Sequence, residues 1–168
     1  ASGSSGTLAA GDYLKDTLNT KIAVVEATEC PTLLNNGYGE HNIQGIGDKH
    51  VPLIHNVMNT DFVVGISDQA TNNLNLMFNT DVGKKYLISN KGFDNNFVNR
   101  LPEFGFSTIA NILASIKLAK YMKLGSDDAI ITVATDGADL YLSELQKTKE
   151  DFTGIYDETA CAEIYGQY

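Results

Sequence analysis

Cysteine is scarce in this sequence, and long apolar segments are missing. The two cysteines, Cys30 and Cys161, form neither a disulfide framework nor the ligand spacing of a zinc site. We therefore expect two free thiols in a reducing compartment and no bound metal. No apolar run is long enough to span a membrane. The first residues have neither the basic start nor the apolar stretch of a signal peptide, so we predict a cytoplasmic protein.

Basic residues are scarce relative to acidic ones. The 168 residues include 12 Lys and Arg against 21 Asp and Glu, which gives a formal net charge of −9. This balance argues against a nucleic-acid-binding surface or a surface for anionic membranes. Any anionic ligand would have to be held by local donors, because the overall field repels it. The length fits one domain with a sizeable core.

The chain opens on small residues that lead directly into a helical pattern. Gly3-Ser4-Ser5-Gly6-Thr7 precedes a predicted helix over residues 7–18. Glycine lets a ligand approach the backbone, and a helix start supplies N–H groups with a partial positive charge. With three hydroxyl side chains, such a turn can form a cradle for phosphate or carboxylate. A cloning linker and a flexible native end are two other interpretations of the same composition.

Short apolar segments alternate with helical patterns along the chain, which is typical of a parallel α/β sheet. Strands are predicted over residues 21–26, 61–66 and 129–134. Helices are predicted over residues 7–18, around 74–78 after a cap at Ser67 or Asp68, over 109–123 after a cap at Ser107 or Thr108, and over 159–165. We expect one or two helical turns at 82–87, loops at 27–43 and 90–99, and a short helix within the first of these loops. The predicted fold class is α/β, a three-layer Rossmann-like parallel sheet with helices on both faces.

Three further turns combine glycine with polar side chains. They are Gln44-Gly45-Ile46-Gly47, Gly105-Phe106-Ser107-Thr108 and Thr135-Asp136-Gly137. Each is also compatible with an ordinary turn or helix cap. Ligands of parallel α/β sheets bind outside the carboxyl ends of the strands. Thr135 and Asp136 directly follow a predicted strand, so they lie where a site is expected.

In this order and spacing the motifs resemble the C-terminal half of fold-type II pyridoxal-phosphate enzymes, the group of cysteine synthase and tryptophan synthase β. Gly3 to Thr7 resembles the phosphate loop of that family, and Lys21 to Glu26 resembles the strand that follows it. The Gly45 turn with Val51-Pro52 resembles the turn beside the cofactor. Residues 105–110 are similar to a Gly-Ile-Ser-Ser-Gly-Ala turn, and residues 135–143 are similar to a Pro-Asp-Ser-Gly-Glu-Arg-Tyr-Leu-Ser segment. The resemblance covers nearly all of residues 2–145.

The resemblance implies that pyridoxal 5′-phosphate is the cofactor of the complete enzyme. It assigns cofactor contacts to eight residues: Gly3, Ser4, Ser5, Gly6, Thr7, Gly45, Thr135 and Asp136. The family places a serine beside the pyridine nitrogen, at the position of Gly137, which has no hydroxyl. Thr135 or Asp136 would replace that serine. A carboxylate would keep the nitrogen protonated and strengthen the electron sink, whereas a hydroxyl would not.

The family's Schiff-base lysine lies in the half that precedes the phosphate loop, and Lys49, Lys84 and Lys117 match no catalytic position. The resemblance thus implies no catalytic residue in this chain. Residues 1–145 would form half of a large domain, and residues 146–168 a C-terminal tail with a short helix. The parent enzyme would act by β-elimination or β-replacement on a cysteine- or serine-type amino acid. This chain would be inactive without its missing N-terminal half, and homodimerisation is a further implied association.

Two alternative functions stay open at this point. A phosphate cradle without a catalytic lysine is also expected in a non-catalytic phosphate-ligand-binding protein or a partner subunit. The replacement of the ring-nitrogen serine by Gly137 keeps open a threonine synthase or an ammonia-lyase of the same family.

Overall fold

The computed structural model describes residue 3 and residues 5–37, 39–152 and 155–168. Backbone contacts divide the chain into two compact units. The first unit comprises Ala1–Asp68 and Ala110–Val133, and the second comprises Gln69–Ile109 and Ala134–Tyr168. The roles predicted for residues 1–145 and 146–168 stay predictions. Within the described ranges, no helix combines the length and the apolar character needed to cross a bilayer.

The first unit contains a parallel pair of strands. β1 (Ala23–Ala27) pairs with β2 (Phe62–Ile66), with Ala23 opposite Phe62 and Ala27 opposite Ile66. Both strands are short and, apart from Glu26, carry no charged residue, as expected for a sheet that is covered by other elements. The helix α1 (Gly6–Leu18) precedes β1 and buries Leu8 with Ile22 and Val24 in one apolar cluster. The predicted α/β class with a parallel sheet is therefore confirmed.

Glu26 is a buried carboxylate inside β1. Its side chain accepts hydrogen bonds from the backbone N–H groups of Leu33 (3.0 Å) and Leu34 (2.8 Å). These N–H groups belong to the first turn of α2 (Thr32–Asn35), the short helix expected in this loop. First-turn N–H groups have no acceptor within their own helix, so a carboxylate there satisfies them and is satisfied in turn. Glu26 is only 1% exposed because α2 supplies its partners.

Asp61 links the end of α1 to the start of β2. Its carboxylate accepts hydrogen bonds from Lys15 Nζ (2.8 Å) and from the backbone N–H of Ile22 (2.7 Å). The bond from Lys15 and then the bond from Ile22 lower the pKa of Asp61 below its usual value. This carboxylate fixes the register between the segments that lead into the two strands.

The second unit is helical and is built on one large apolar cluster. Its helical segments are α3 (Asp68–Asn79), α4 (Asp81–Ser89), α5 (Asn95–Arg100), the first residues of α6 (Phe106–Met122), α7 (Leu142–Asp151) and α8 (Glu158–Gln167). The buried members of the cluster are Leu76, Met77, Tyr86, Leu87, Val98, Leu101, Tyr156, Ala160, Cys161 and Ile164. Side-chain caps begin α4, α5 and α8 at Thr80, Asp94 and Asp157. Caps and apolar burial together define these short helices.

The third predicted strand is wrong. Residues 129–134 have no regular secondary structure, and β1 and β2 are the two paired strands of the described chain. Ile131 is 81% exposed and Val133 is 47% exposed. A run of β-branched residues becomes a strand only where neighbours pair its backbone and bury its side chains. Neither condition is met here among the described residues.

Three helix predictions also need correction. Residues 90–99 are not a loop throughout, because Asp94 accepts a hydrogen bond from the N–H of Phe97 (3.0 Å) and starts α5. The helix α7 lies in a tail for which only a later helix was predicted. Ser107 and Thr108 do not cap α6, because α6 already begins at Phe106 and both hydroxyls lie inside its first turn. The predicted helices at 7–18, 109–123 and 159–165 are confirmed as α1, α6 and α8.

Candidate functional site

Ser5 lies directly before α1, at the predicted phosphate loop. Its backbone is left-handed, with φ 63° and ψ 11°. The residue is 2% exposed, and its hydroxyl has no hydrogen-bond partner among the described residues. A left-handed backbone costs a non-glycine residue roughly 1–2 kcal/mol. A buried polar atom without a partner adds a further penalty. Such a combination is typical of sites where a ligand supplies the missing partner.

The predicted phosphate loop and the predicted Gly45 turn lie against each other. A Cβ added to Gly3 would be 2.7 Å from the carbonyl oxygen of Gly45, so no larger residue fits there without movement of the backbone. Gly45 itself has φ 83°, a conformation that favours glycine. The two turns are far apart in sequence, and the fold of the first unit brings them together.

The surroundings of Gly6 are open. A Cβ placed on Gly6 would meet no heavy atom within 4 Å, and both Gly6 and Thr7 are exposed. Gly6 is the first residue of α1, where the helix dipole favours an anion. The loop is therefore closed on the side of Gly3 and accessible at Gly6. Ser4, the remaining predicted member of this loop, lies outside the described residues.

Thr135 and Asp136 belong to the second unit, where they form a small polar cluster with the start of α6. The hydroxyls of Thr135 and Ser107 are 3.0 Å apart, and the N–H of Thr135 donates to the hydroxyl of Thr108 (3.3 Å). The carbonyl of Asp136 accepts a hydrogen bond from the N–H of Gly105 (2.8 Å). The predicted Gly105 and Thr135 turns thus contact each other within this unit.

Tyr141 is a member of this cluster whose role was not predicted. Its hydroxyl donates a hydrogen bond to Asp136 Oδ2, and its ring packs edge-on against Phe106 with 5.2 Å between the centroids. Burial, and then the hydrogen bond to Asp136, raise the pKa of Tyr141 to about 12. The sequence signal was available, because Tyr141 belongs to the motif that contains Asp136.

Lysines of the first unit contact backbone carbonyls, a carboxylate and an aromatic ring, the last through Lys21 above Phe62 (5.8 Å to the ring centroid). Lys117 Nζ donates to the carbonyl of Gly65 (2.9 Å), and Lys15 pairs with Asp61. Lys49 lines a separate cavity of about 410 Å³ together with Cys30, Gly39, Glu40, His41 and Asp48. Sequence reasoning missed this cavity, because its lining residues follow no ligand spacing.

Comparison with known proteins identifies the class to which this fold and these turns belong. No protein-family model matches the chain. The chain is 31% identical to cysteine synthase B of Campylobacter jejuni over 143 residues, which is 84% of this chain and 40% of that relative. A variant of a hydrogen sulfide-producing enzyme of Fusobacterium nucleatum, solved with an α-aminoacrylate intermediate, is 26% identical with a TM-score of 0.63. That match covers 86% of this chain and 38% of the enzyme.

The cysteine synthase of Entamoeba histolytica has the same fold. It is 24% identical with a TM-score of 0.63, and the match covers 99% of this chain and 44% of that structure. The chain belongs to the fold-type II pyridoxal-phosphate family. The relatives of the chain include a cysteine synthase and a hydrogen sulfide-producing enzyme. The chain spans 40% of the length of the curated relative that it matches.

Proposed function

We propose that this chain is the phosphate-binding part of a pyridoxal-phosphate enzyme of the cysteine synthase type. The complete enzyme would act by β-elimination or β-replacement on a cysteine- or serine-type amino acid. The observation that carries the proposal is the buried hydroxyl of Ser5 at the start of α1, which has no hydrogen-bond partner within the described part of the chain. The relative named cysteine synthase B supports the substrate class.

The residues of the first unit fit the cofactor phosphate. The group brings acceptor oxygens, to which the Ser5 hydroxyl, unpaired among the residues that the structure describes, can donate. Gly6 leaves room for it, and the start of α1 favours its negative charge. Because the net charge of the chain is −9, binding depends on these local donors. Gly3 and Gly45 hold the loop by their backbone contact.

The residues of the second unit offer neutral hydroxyl groups. Thr135 is exposed, and its hydroxyl is hydrogen-bonded to that of Ser107. When bound, pyridoxal phosphate supplies the electron sink that stabilises a carbanion at the substrate Cα. The chain's own contribution is binding and orientation. We propose that the Schiff-base lysine comes from a part of the family fold outside this chain, because lysines such as Lys49, Lys84 and Lys117 match no catalytic position of the family.

Binding of pyridoxine 5′-phosphate tests this proposal by isothermal titration. This probe has no aldehyde, so it cannot react with surface lysines. We expect the chain to bind it in competition with inorganic phosphate. The Gly6→Asp variant should lose at least about 10-fold in affinity, because it places a carboxylate where the phosphate binds and a like-charge contact costs several kcal/mol. The added side chain meets no atom, and an acidic first turn suits a helix, so the variant should fold.

Gly166→Asp is the matched control for the added charge. Gly166 lies in α8, and its Cβ would also meet no neighbouring atom. The control should bind the probe as the unchanged chain does. Equal affinities of the Gly6→Asp and Gly166→Asp variants would overturn the assignment of the phosphate loop. A failure of the unchanged chain to bind the probe would remove the proposal altogether.

A further inference from the structure

Lys91, in the second unit, lies against aromatic rings. Its Nζ is 4.1 Å from the centroid of the Tyr165 ring and 5.4 Å from that of the Tyr86 ring. An ammonium over one ring is an ordinary contact in proteins, but here two rings share the same ammonium. Within the residues that the structure describes, Lys91 has no carboxylate partner. The cation is therefore held by ring faces.

A third ring adjoins these two. Tyr165 packs at a steep angle against Tyr86, with 6.2 Å between the centroids and 63° between the planes. Phe93 packs against Tyr165 in the same manner, at 6.4 Å and 62°. We call Tyr86, Phe93 and Tyr165 the aromatic box. Tyr86 is buried, whereas Phe93 and Tyr165 are exposed, so the box has a closed side and a side that a ligand can reach.

The turn after α4, which carries Lys91 and Phe93, is fixed by hydrogen bonds. The backbone N–H of Phe93 donates to the carbonyl of Leu87 in α4 (3.1 Å). The side chain of Asn90 donates to Glu158 in the first turn of α8, the helix that also carries the tyrosine of the box. The rings are thus held independently of the ammonium, and a ligand does not have to order them on binding.

Charge and hydration indicate which cations suit the aromatic box. α8 carries Glu158 and Glu163 and no basic residue, so its surroundings favour a positive charge. Ring faces attract a cation but are poor acceptors for N–H groups, so a primary ammonium gives up hydration there. A trimethylammonium group carries the same charge and has no N–H group to satisfy. The box therefore suits a trimethylammonium compound better than a primary amine.

We propose that the aromatic box binds the trimethylammonium group of a small molecule of the choline class, and that Lys91 occupies the site when no such ligand is bound. The ligand displaces the exposed side chain of Lys91 and takes its place against the rings. Because Lys91 is tethered beside the box, it competes like a ligand at millimolar concentration and sets the threshold for binding. This inference concerns the second unit alone and does not rest on the proposed function.

Two probes of the same shape test this inference by NMR titration of the full chain. They are choline and its carbon analogue, in which an uncharged tert-butyl group replaces the trimethylammonium group. Lys91→Ala should bind choline roughly 5- to 30-fold more tightly than the unchanged chain, because the tethered cation no longer competes. The N-methyl protons of choline should shift upfield against the ring faces, and the carbon analogue should bind at least about 5-fold more weakly. Lys85→Ala removes the same charge from an exposed position of α4 and should leave the affinity unchanged.

Variants of Tyr165 in the Lys91→Ala background show whether the ring holds the ligand. Tyr165→Leu should lower the affinity for choline roughly 5-fold or more, whereas Tyr165→Phe keeps the ring face and should retain the affinity. Tyr13→Leu removes an exposed ring from the first unit and is the control. The ratio of the affinities for choline and its carbon analogue separates recognition of charge from folding, since a loss of stability weakens both probes alike.

Several results would overturn the inference. Equal affinities of Lys91→Ala for choline and its carbon analogue would show an apolar pocket that does not recognise charge. Equal affinities of Lys91→Ala and Lys85→Ala for choline, or no binding by either, would show that Lys91 does not occupy a choline site. Binding of the chain to phosphatidylcholine vesicles without binding of free choline would assign the aromatic box to a lipid surface instead of a small molecule.

Discussion

The two units of the chain differ in the balance between polar and apolar contacts. In the first unit, carboxylates bind backbone N–H groups, as Glu26 does at α2 and Asp61 does at Ile22, and Gly3 packs against the backbone of Gly45. In the second unit, helices converge on an apolar cluster around Leu76 and Ile164. The first arrangement depends on charge and backbone conformation, and the second depends on side-chain volume.

This difference suits the tasks proposed for the two units. A phosphate cradle needs exposed N–H groups and a backbone held in an uncommon conformation, and both are maintained by polar contacts. The aromatic box needs rings held at fixed angles, and closely packed helices hold them. Substitutions that change volume should therefore affect the second unit most, and substitutions that change charge or backbone conformation should affect the first.

The largest effect is expected from Ile164→Ala in the second unit. Ile164 is 2% exposed within the apolar cluster, and truncating such a residue typically costs about 2–5 kcal/mol. Urea unfolding should show this loss, and hydrogen exchange should show increased opening of α8 and α4 before α1 and β1. Leu140→Ala, at a position that is 71% exposed in the same unit, is the control and should change stability little. Uniform loss of protection in both units would remove the distinction between them.

Glu26→Ala should have the next largest effect, and in the first unit. The substitution leaves the N–H groups of Leu33 and Leu34 without their acceptor, at a cost of about 1–3 kcal/mol. Faster exchange of these two amides, measured by NMR, would localise the effect. Glu40→Ala removes an exposed carboxylate from the same unit and serves as the control. Unchanged exchange at Leu33 and Leu34 would contradict the capping role of Glu26.

A smaller effect is expected from Asp61→Asn, and it depends on pH. Because the folded protein lowers the pKa of Asp61, its contribution is present above the unfolded value of about 3.9 and is lost as pH falls through the lowered value. At neutral pH the variant should be less stable by about 1 kcal/mol, a modest figure because the pair with Lys15 is partly exposed. As the pH falls, the stability of the Asp61→Asn variant should decrease less steeply than that of the unchanged chain.

Urea unfolding midpoints at neutral pH and in acid would measure this slope. Asp16→Asn removes an exposed carboxylate from α1, in the same unit, and is the control for a change in net charge. If the two variants have the same pH profile, the hydrogen bonds of Asp61 do not stabilise the first unit.

Sequence patterns predict the helices and strands that depend on neighbouring residues in the chain. They fail where the pairing of strands determines the structure. β1, β2, α1 and α6 follow from apolar periodicity and lie close to the predicted bounds. Residues 129–134 have the composition of a strand, but the described residues offer their backbone no neighbouring strand. The opposite error occurs at α5, where a polar segment forms a helix because Asp94 caps it and Val98 is buried. The cap at Asp94 is a local contact with Phe97, whereas the burial of Val98 depends on tertiary contacts that no short pattern contains.

In the candidate site, too, some features could be predicted from local sequence and others depend on tertiary contacts. Its glycine turns were predicted one by one, because glycine and hydroxyl residues before a helix are a local signal. The contact of Gly3 with Gly45 and the pairing of Ser107 with Thr135 were not predictable from spacing. Neither was the burial of the Ser5 hydroxyl, because burial depends on segments that arrive later in the chain.

The smallest effect is expected from Ser5→Gly, and it has the opposite sign. Glycine adopts the left-handed conformation of Ser5 without strain, and the substitution also removes the buried hydroxyl that has no partner among the described residues. The gain should be a few tenths of a kcal/mol up to about 1 kcal/mol, because the freer unfolded chain offsets part of it. Asn19→Gly is the matched control, since Asn19 is left-handed at the other end of α1 but exposed. Thermal unfolding of both variants separates the backbone gain from the gain due to the hydroxyl.

The two variants should differ in ligand binding as well. Ser5→Gly should weaken pyridoxine 5′-phosphate by roughly 3- to 10-fold, the size of one hydrogen bond, while Asn19→Gly should not. A chain that becomes more stable and binds less tightly would show that Ser5 is retained in its strained conformation for the ligand. A chain that loses stability on Ser5→Gly would show instead that the hydroxyl of Ser5 supports the fold. That hydroxyl would then no longer be evidence for the phosphate cradle.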